Sequence, residues 1–480
     1  MKSKIRWWAG GVLVAAAVAA GIWWSQAGLA RDAVVAALPV RPESESDGSI
    51  LAEHLAEADT AARSRFGAVE GLGRLARLYH ANGYLDQAIL CYRELEQLQP
   101  DEPRWPHLHA TILAGYGEIE TARALWERVL ELAPDYIPAR LRLGDCQLKA
   151  NQFAEAAQTY GDVLKREPGN GYAELGLARI DFEAGRLEAA RVRLEKIVRE
   201  TKFQLGYDLI VSVYERTGER ERATAIRSAQ KAFGSYRDPA DPWVDELIDE
   251  CFDSYRLSLT AGVLAGTGQA PRAVELLQRA VAYAPSDVSA QFQLGVVLAE
   301  TGSVAGAKQQ FERCTTLAPE FADGWARLSD LLRRQGNGAE AERVLMRGLS
   351  HCPESPGLHL MHARNLQSAG RIEDAMVAYQ TSIYYRPNEP DAYLELGKML
   401  IAADRTEEGM AQVRAALTAE PGNPMALGIL AYHAIVTGDR AAADAWLTQI
   451  GFQPRVLPDQ LQRLASAYAQ QFGAAWKPAR

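Results

Sequence analysis

The chain has 480 residues, of which 48% are apolar and 24% charged, and a net charge of −9. These values describe a folded chain rather than a disordered one. The mean hydropathy of −0.20 excludes a polytopic membrane protein, the acidic total argues against a general nucleic-acid binder, and five cysteines exclude a disulfide scaffold.

The first six residues carry three cations, Lys2, Lys4 and Arg6. Residues 7–24, WWAGGVLVAAAVAAGIWW, hold no charge and are closed at both ends by tryptophan pairs. Eighteen helical residues span about 27 Å, the thickness of a bilayer core. Indole rings favour the headgroup layer, and cations before a span hold the N-terminus in the cytoplasm. The expectation is a transmembrane signal-anchor at 7–24, with the body periplasmic or extracellular. The alternative is a cleaved signal peptide ending at Gly28-Leu29-Ala30, which leaves the body secreted. Residues 25–68 read as a tether and a short helix: 39–48, PVRPESESDG, is polar and rich in Pro, Ser and Glu, and a helix over Ile50–Ser64 follows.

Beyond this the chain is periodic. Pro100, Pro134 and Pro168 are 34 apart, and so are Pro285, Pro319, Pro353, Pro387 and Pro421, with Pro454 following 33 later. Each interval opens on a Leu with a small residue, as in Leu75-Ala76, Leu143-Gly144, Leu294-Gly295 and Leu396-Gly397. A glycine comes next, at 83, 117, 185, 218, 268, 302, 336, 370 and 438, where ending a helix requires positive φ. Five residues on stands an alanine, such as Ala88, Ala122, Ala156 or Ala307, where two helices cross at close range. Four residues later comes a bulky side chain (Tyr92, Trp126, Tyr160, Phe311, Tyr379), and the proline stops the second helix.

This pattern closely resembles the tetratricopeptide repeat (TPR). The resemblance covers eleven units over more than three quarters of the chain, and it implies an all-α solenoid of helical hairpins winding as a right-handed superhelix. Five units fill 69–233 and six fill 254–454. The fifth is the weakest match, and the tenth has Gly409 in place of the alanine. Residues 234–253 break the period with two prolines and a run of acids. They read as a covered junction in which Trp243 and Phe252 pack on a neighbour, or as a hinge or partner-binding loop. Residues 455–480 hold a capping helix, LPDQLQRLASAYAQQF, that closes the last apolar face.

The resemblance further implies protein or peptide partners lying in a groove lined by the first helix of each unit. Counting from the repeat, the N-terminal groove presents Arg77, His80, Arg104, His107, Asp145, Lys149, Tyr172 and Arg179. The C-terminal groove presents Phe292, Asp323, Asp330, Arg333, Arg334, Arg364, Gln367, Lys398 and Tyr432. Cations outnumber acids here, which points to a carboxylate-bearing ligand held by Arg forks, against the plainer reading of solvated helix faces. Gly73, Arg77, His107 and Thr111 do not match the Lys-and-Asn set of TPR proteins that clamp chaperone tails. The chain contains no GxxxxGK[ST], GxGxxG, GxSxG, HExxH, CxxC or CxxCH. His109 and His362 occupy the Leu position of their repeats and read as packing residues, and the cysteines read as inert buried thiols. The expected function is a non-enzymatic scaffold for protein–protein interaction in the cell envelope, with no cofactor, metal or nucleic acid. The alternative is an accessory subunit of an envelope polysaccharide or cytochrome assembly machine.

Overall fold

The computed structural model describes residues 2–42, 49–200, 204–230, 239–451 and 458–476, with side chains described from Val18 onward in the first helix. Every regular element among them is helical. The chain forms two compact units. The first contains residues 1–226 and 230–285, and the second contains 227–229 and 286–480.

In the first unit, α1 (Lys2–Ala37) and α2 (Ile50–Ala62) precede the repeats. Five hairpins follow: α3 (Ala68–Ala81) with α4 (Leu85–Leu98), α5 (Arg104–Gly115) with α6 (Ile119–Leu132), α7 (Ile137–Lys149) with α8 (Phe153–Arg166), α9 (Gly171–Glu183) with α10 (Leu187–Glu200), and α11 (Gln204–Thr217) with α12 (Arg220–Gln230). Next come a short α13 (Pro242–Asp245), a 3-10 turn over Glu246–Glu250, and the hairpin α14 (Ser254–Gly266) with α15 (Ala270–Tyr283).

The second unit stacks α16 (Val288–Glu300) with α17 (Val304–Leu317), α18 (Ala322–Arg334) with α19 (Gly338–His351), α20 (Pro356–Ser368) with α21 (Ile372–Tyr385), α22 (Pro390–Ala402) with α23 (Thr406–Ala419), and α24 (Pro424–Val436) with α25 (Arg440–Gly451). The last helix, α26 (Pro458–Phe472), packs on α24 and α25 through buried Leu464 and Tyr468.

The repeat chemistry accounts for the hairpins. All nine predicted turn glycines have φ between 74° and 86°. In the third and tenth repeats the same turn is made by Asn151 and Asp404, each at φ 60°; their short polar side chains tolerate this left-handed region. Tyr92, Trp126, Tyr160, Phe311 and Tyr379 are all buried. The ring of Tyr160 lies between Gly144 and Gly176, and a Cβ on Gly144 would stand 2.7 Å from it. Gly409 faces Gly397: a Cβ on Gly409 would meet the Gly397 carbonyl oxygen at 2.7 Å. The alanine expected at 409 is excluded because α22 and α23 cross too closely for a methyl group. In the fifth repeat Ile210 and Val211 are buried on α11 despite the weak match.

The first helix continues through Trp24 to Ala37, so residues 25–37 are helical. Its C-terminal part packs on α3 and α4 and buries Val34. Trp23 stacks on Phe66 at 4.5 Å, and the Arg65 guanidinium lies over Trp24 at 4.4 Å. Among the described residues no helix is long and apolar enough to cross a membrane. Most of the expected span, 7–17, has side chains outside the described residues; residues 43–48 of the expected tether, Lys202 where the fourth unit has no closing proline, 231–238 around the start of the expected junction, Pro454 and Leu457 also lie outside them.

Candidate functional site: two repeat grooves

The first helices of repeats one and two, α3 and α5, carry Arg77, His80, Arg104 and His107. In the structure the chain's own residues 241–252 lie against these helices. Asp241 caps α13, with Pro242 at the first helical position. Its carboxylate is buried. One oxygen accepts from His107 Nε2 at 2.8 Å and the other from the Tyr136 hydroxyl at 2.6 Å. Trp126 Nε1 donates to His107 Nδ1 at 3.2 Å. An indole N–H only donates, so Nδ1 is the acceptor and His107 is the neutral Nε2–H tautomer. Burial pushes the Asp241 carboxyl up, but the hydrogen bonds from His107 and Tyr136 outweigh it and hold the group below the usual carboxylate range.

Aromatic stacking and a backbone clamp complete the contact. Trp243 stacks on Tyr136 at 3.6 Å and meets His107 edge-on. The Asn82 side chain reads the segment's backbone: its amide donates to the Glu250 carbonyl at 2.8 Å and its oxygen accepts from the Phe252 N–H at 2.7 Å. Phe252 stacks on His54 of α2. On the other side, Arg279 of α15 donates to the carbonyls of Ile248, Asp249 and Cys251, and Arg272 pairs with Asp249 at 2.7 Å. This is why α14 and α15, which the proline spacing groups with later repeats, belong to the first unit.

Arg77 reaches Glu250 at 3.8 Å, whereas Arg104 pairs with its neighbour Glu102 at 2.9 Å. Between segment and helices remains a cavity of about 280 Å³ lined by Arg77, Arg104, Trp105, Trp243, Glu246 and Glu250, among others. His80 lies deeper, beside the Tyr92 hydroxyl at 3.1 Å. Burial, with the Arg256 guanidinium and His107 nearby, pushes it down to about 4, so it is neutral at pH 7. Further along, Lys149 is exposed and Arg179 half-exposed, flanking Asp145. Burial raises the Asp145 carboxyl, although the Tyr160 hydroxyl donates to it at 2.6 Å.

In the second unit, Phe292 is half-buried and packs in a ring cluster with Phe311 and Phe321. Asp330 pairs with both Arg333 and Arg334 at 2.7 Å. Arg364 bridges to Asp391 of the next repeat at 3.0 Å, Lys398 pairs with Glu395, and Gln367 accepts from the Tyr379 hydroxyl. Between α18 and α20 opens a pocket of about 410 Å³, lined by Arg327, Asp330, Arg333, Met361, Arg364 and Asn365, among others. Three arginines and one aspartate line it, beside the Met361 thioether. No segment of the chain occupies it among the described residues.

Among the described residues no three His, Cys, Asp or Glu side chains gather as metal ligands. His109 is buried against Glu96, and His362 packs beside Glu342 at 3.1 Å. Arg327, Asn82 and Asp241 escaped the sequence reading. Arg327 continues the stripe of Asp323, Asp330 and Arg334 on one helix face, so extending that spacing would have found it. The Asp-Pro start of α13 was a cap signal, but its distant partners left no local trace.

Models of the tetratricopeptide repeat match residues 69–102, 113–163, 148–205, 261–315, 322–365 and 360–424, together more than half of the chain. Similar proteins include the TPR repeat-containing protein YpiA of Bacillus subtilis, 26% identical over 178 residues, covering 36% of this chain and 38% of that protein. Another is the cellulose synthase 1 operon protein C of Komagataeibacter xylinus, 32% identical over 110 residues, covering 22% of this chain and 8% of that one. The chain thus spans well under half the length of each of these relatives. Among solved structures, yeast Tom70 aligns over 85% of this chain and 97% of its own at 15% identity and a TM-score of 0.40. YrrB, described as a TPR protein with an unusual peptide-binding site, aligns over 39% and 97% at 18% identity and a TM-score of 0.30. On the repeat positions, the stacked helical hairpins and the family models that match more than half of its length, the chain belongs to the tetratricopeptide-repeat family.

Proposed function

We propose that this protein is a non-enzymatic scaffold that binds a carboxylate-bearing protein segment in the groove of its second unit. The observation that carries this is the pocket between α18 and α20, which is lined by Arg327, Arg333 and Arg364 with one acid, Asp330, and by Met361. Guanidinium forks hold carboxylates by paired hydrogen bonds, and an adjoining apolar wall takes the ligand's hydrocarbon. Residues 241–252 occupy the groove of the first repeats, whereas no described segment of the chain occupies the pocket between α18 and α20.

We place the scaffold in the cell envelope, anchored by residues 7–24 with the repeats on the periplasmic or outer side. The uncharged, tryptophan-bounded stretch after three cations supports this. Because α1 continues to Ala37 and buries Val34, the anchor joins the first repeat through a helix. Protease treatment of spheroplasts tests the placement: loss of the repeats with retention of a membrane-embedded fragment supports it, and full protection counts against it.

A second reading, an accessory subunit of a polysaccharide assembly machine, is favoured by the similarity to cellulose synthase operon protein C. Cross-linking from the intact protein followed by mass spectrometry separates the two, since a synthase complex is recovered only under the second. For the groove itself, Arg333→Glu, Arg334→Glu and Arg364→Glu together should remove the captured partner. Retention of every partner by that variant would refute the assignment.

A further inference from the structure

The segment in the first groove is bound as a ligand is bound, by side-chain recognition along its whole length. Its carboxylate sits between buried His107 and half-buried Tyr136, which both donate to it. Its tryptophan, two residues on, stacks on Tyr136. Its backbone is clamped by Asn82, and its acids face Arg77 and Arg272. The fit is incomplete on one side. The cavity of about 280 Å³ remains under Trp243 and Glu246, Arg77 and Glu250 stay 3.8 Å apart, and Arg104 turns away to Glu102. This cavity is open to solvent: in its lining Arg104 stays half-exposed, and Glu246 and Asp249 stay exposed, beside the segment.

We propose that the groove formed by α3, α5 and Tyr136 is a recognition site for a segment bearing an aspartate, an aromatic residue two positions later and acids beyond it. Residues 241–252 are its built-in occupant, and a partner segment of the same chemistry enters by displacing them. The site is separate from the pocket between α18 and α20, and the failure of either leaves the other standing. It gives the scaffold two acceptors for acidic segments, one open and one gated by the chain itself.

The test is exchange with a labelled synthetic peptide of residues 239–252, followed by fluorescence anisotropy on the full chain. Asp241→Ala with Trp243→Ala weakens the internal occupant while leaving the groove intact. That double variant should bind the peptide at least about tenfold more tightly than the parent chain, the scale expected when buried charge-assisted hydrogen bonds are lost from a competitor. Adding Tyr136→Phe, which deletes the donor to the aspartate, should reverse the gain. Equal binding by the parent and the double variant with helicity intact, or a gain that Tyr136→Phe leaves untouched, overturns the proposal. If the double variant melts, hydrogen exchange on the parent chain decides. The amides of Val244 and Phe252 should open while those of α3 and α5 stay protected, and exchange of all four only together overturns displacement. A mass doubling in solution that the double variant abolishes also overturns it, since it would place the segment in a second copy.

Discussion

Asp241 shows how one side chain couples distant stretches of sequence. Its acceptors' donors, His107 and Tyr136, lie 134 and 105 positions away. Its folded carboxyl lies below the ordinary range, so its contribution to stability is fully present above the unfolded value of about 3.9 and is lost as pH falls through the lower folded value. Asp241→Asn, whose amide nitrogen replaces one of the two acceptor oxygens and sets its hydrogens against a donor, should destabilise the first unit by about 1–3 kcal/mol at pH 7. In denaturant titrations the gap from the parent should narrow as pH falls below about 3.9. His80 acts in a different window. Its folded value near 4 lies under the ordinary 6.5, so the unfolded chain binds more protons between the two. Stability should therefore fall as pH drops from 6.5 to 4, and His80→Gln should lack that slope. The cysteines give a third check at this scale. Burial pushes the Cys91 thiol up to about 12, and those of Cys146 and Cys314 to about 11. Native alkylation read by mass spectrometry should label the half-buried Cys352 first, with the other four protected until unfolding.

At the scale of elements, the repeat pattern carries nearly all of the local information. The turn glycines, the alanines at the crossings and the closing prolines each mark a steric requirement that recurs every 34 residues, and the hairpins form at those positions. The reading stalls where a different residue meets the same requirement. Asn151 and Asp404 make left-handed turns that a search for glycine misses. Gly409 looked like a departure from the pattern, yet it answers Gly397 across a crossing too close for a methyl group. Gly409→Ala should therefore destabilise the α22–α23 hairpin by about 1–3 kcal/mol, read as a lower melting temperature, whereas Gly306→Ala on the looser α17 should cost less. A smaller effect at 409 than at 306 would show that the crossing relaxes freely. Arg279 couples elements: its guanidinium holds three carbonyls of the 248–251 turn. Arg279→Ala should raise protease cleavage around α13 and the following turn without altering the second unit's melting.

At the scale of the molecule, a repeat array is held by contacts between neighbours, and a residue count along the chain predicts those. It does not predict a return contact. Residues 234–253 announced themselves as irregular, with Trp243 and Phe252 expected to pack, but which repeats they meet depends on side chains more than 100 positions earlier. The candidate groove residues divide accordingly. Arg77 faces the chain's own acids, His80 is neutral beneath them, and Phe292 belongs to a ring cluster. Arg333 and Arg364 line an open pocket that also includes Arg327, which the sequence reading did not pick. The central claim, an occupied first groove and a partner-binding second one, is tested most directly by a photo-cross-linking amino acid placed at Met361 or at Arg104 in the full-length chain in cells. The expected result is a protein partner captured from position 361, and from position 104 an intramolecular link to residues 243–250 when no partner is bound there. Capture of no protein from position 361 would contradict the claim.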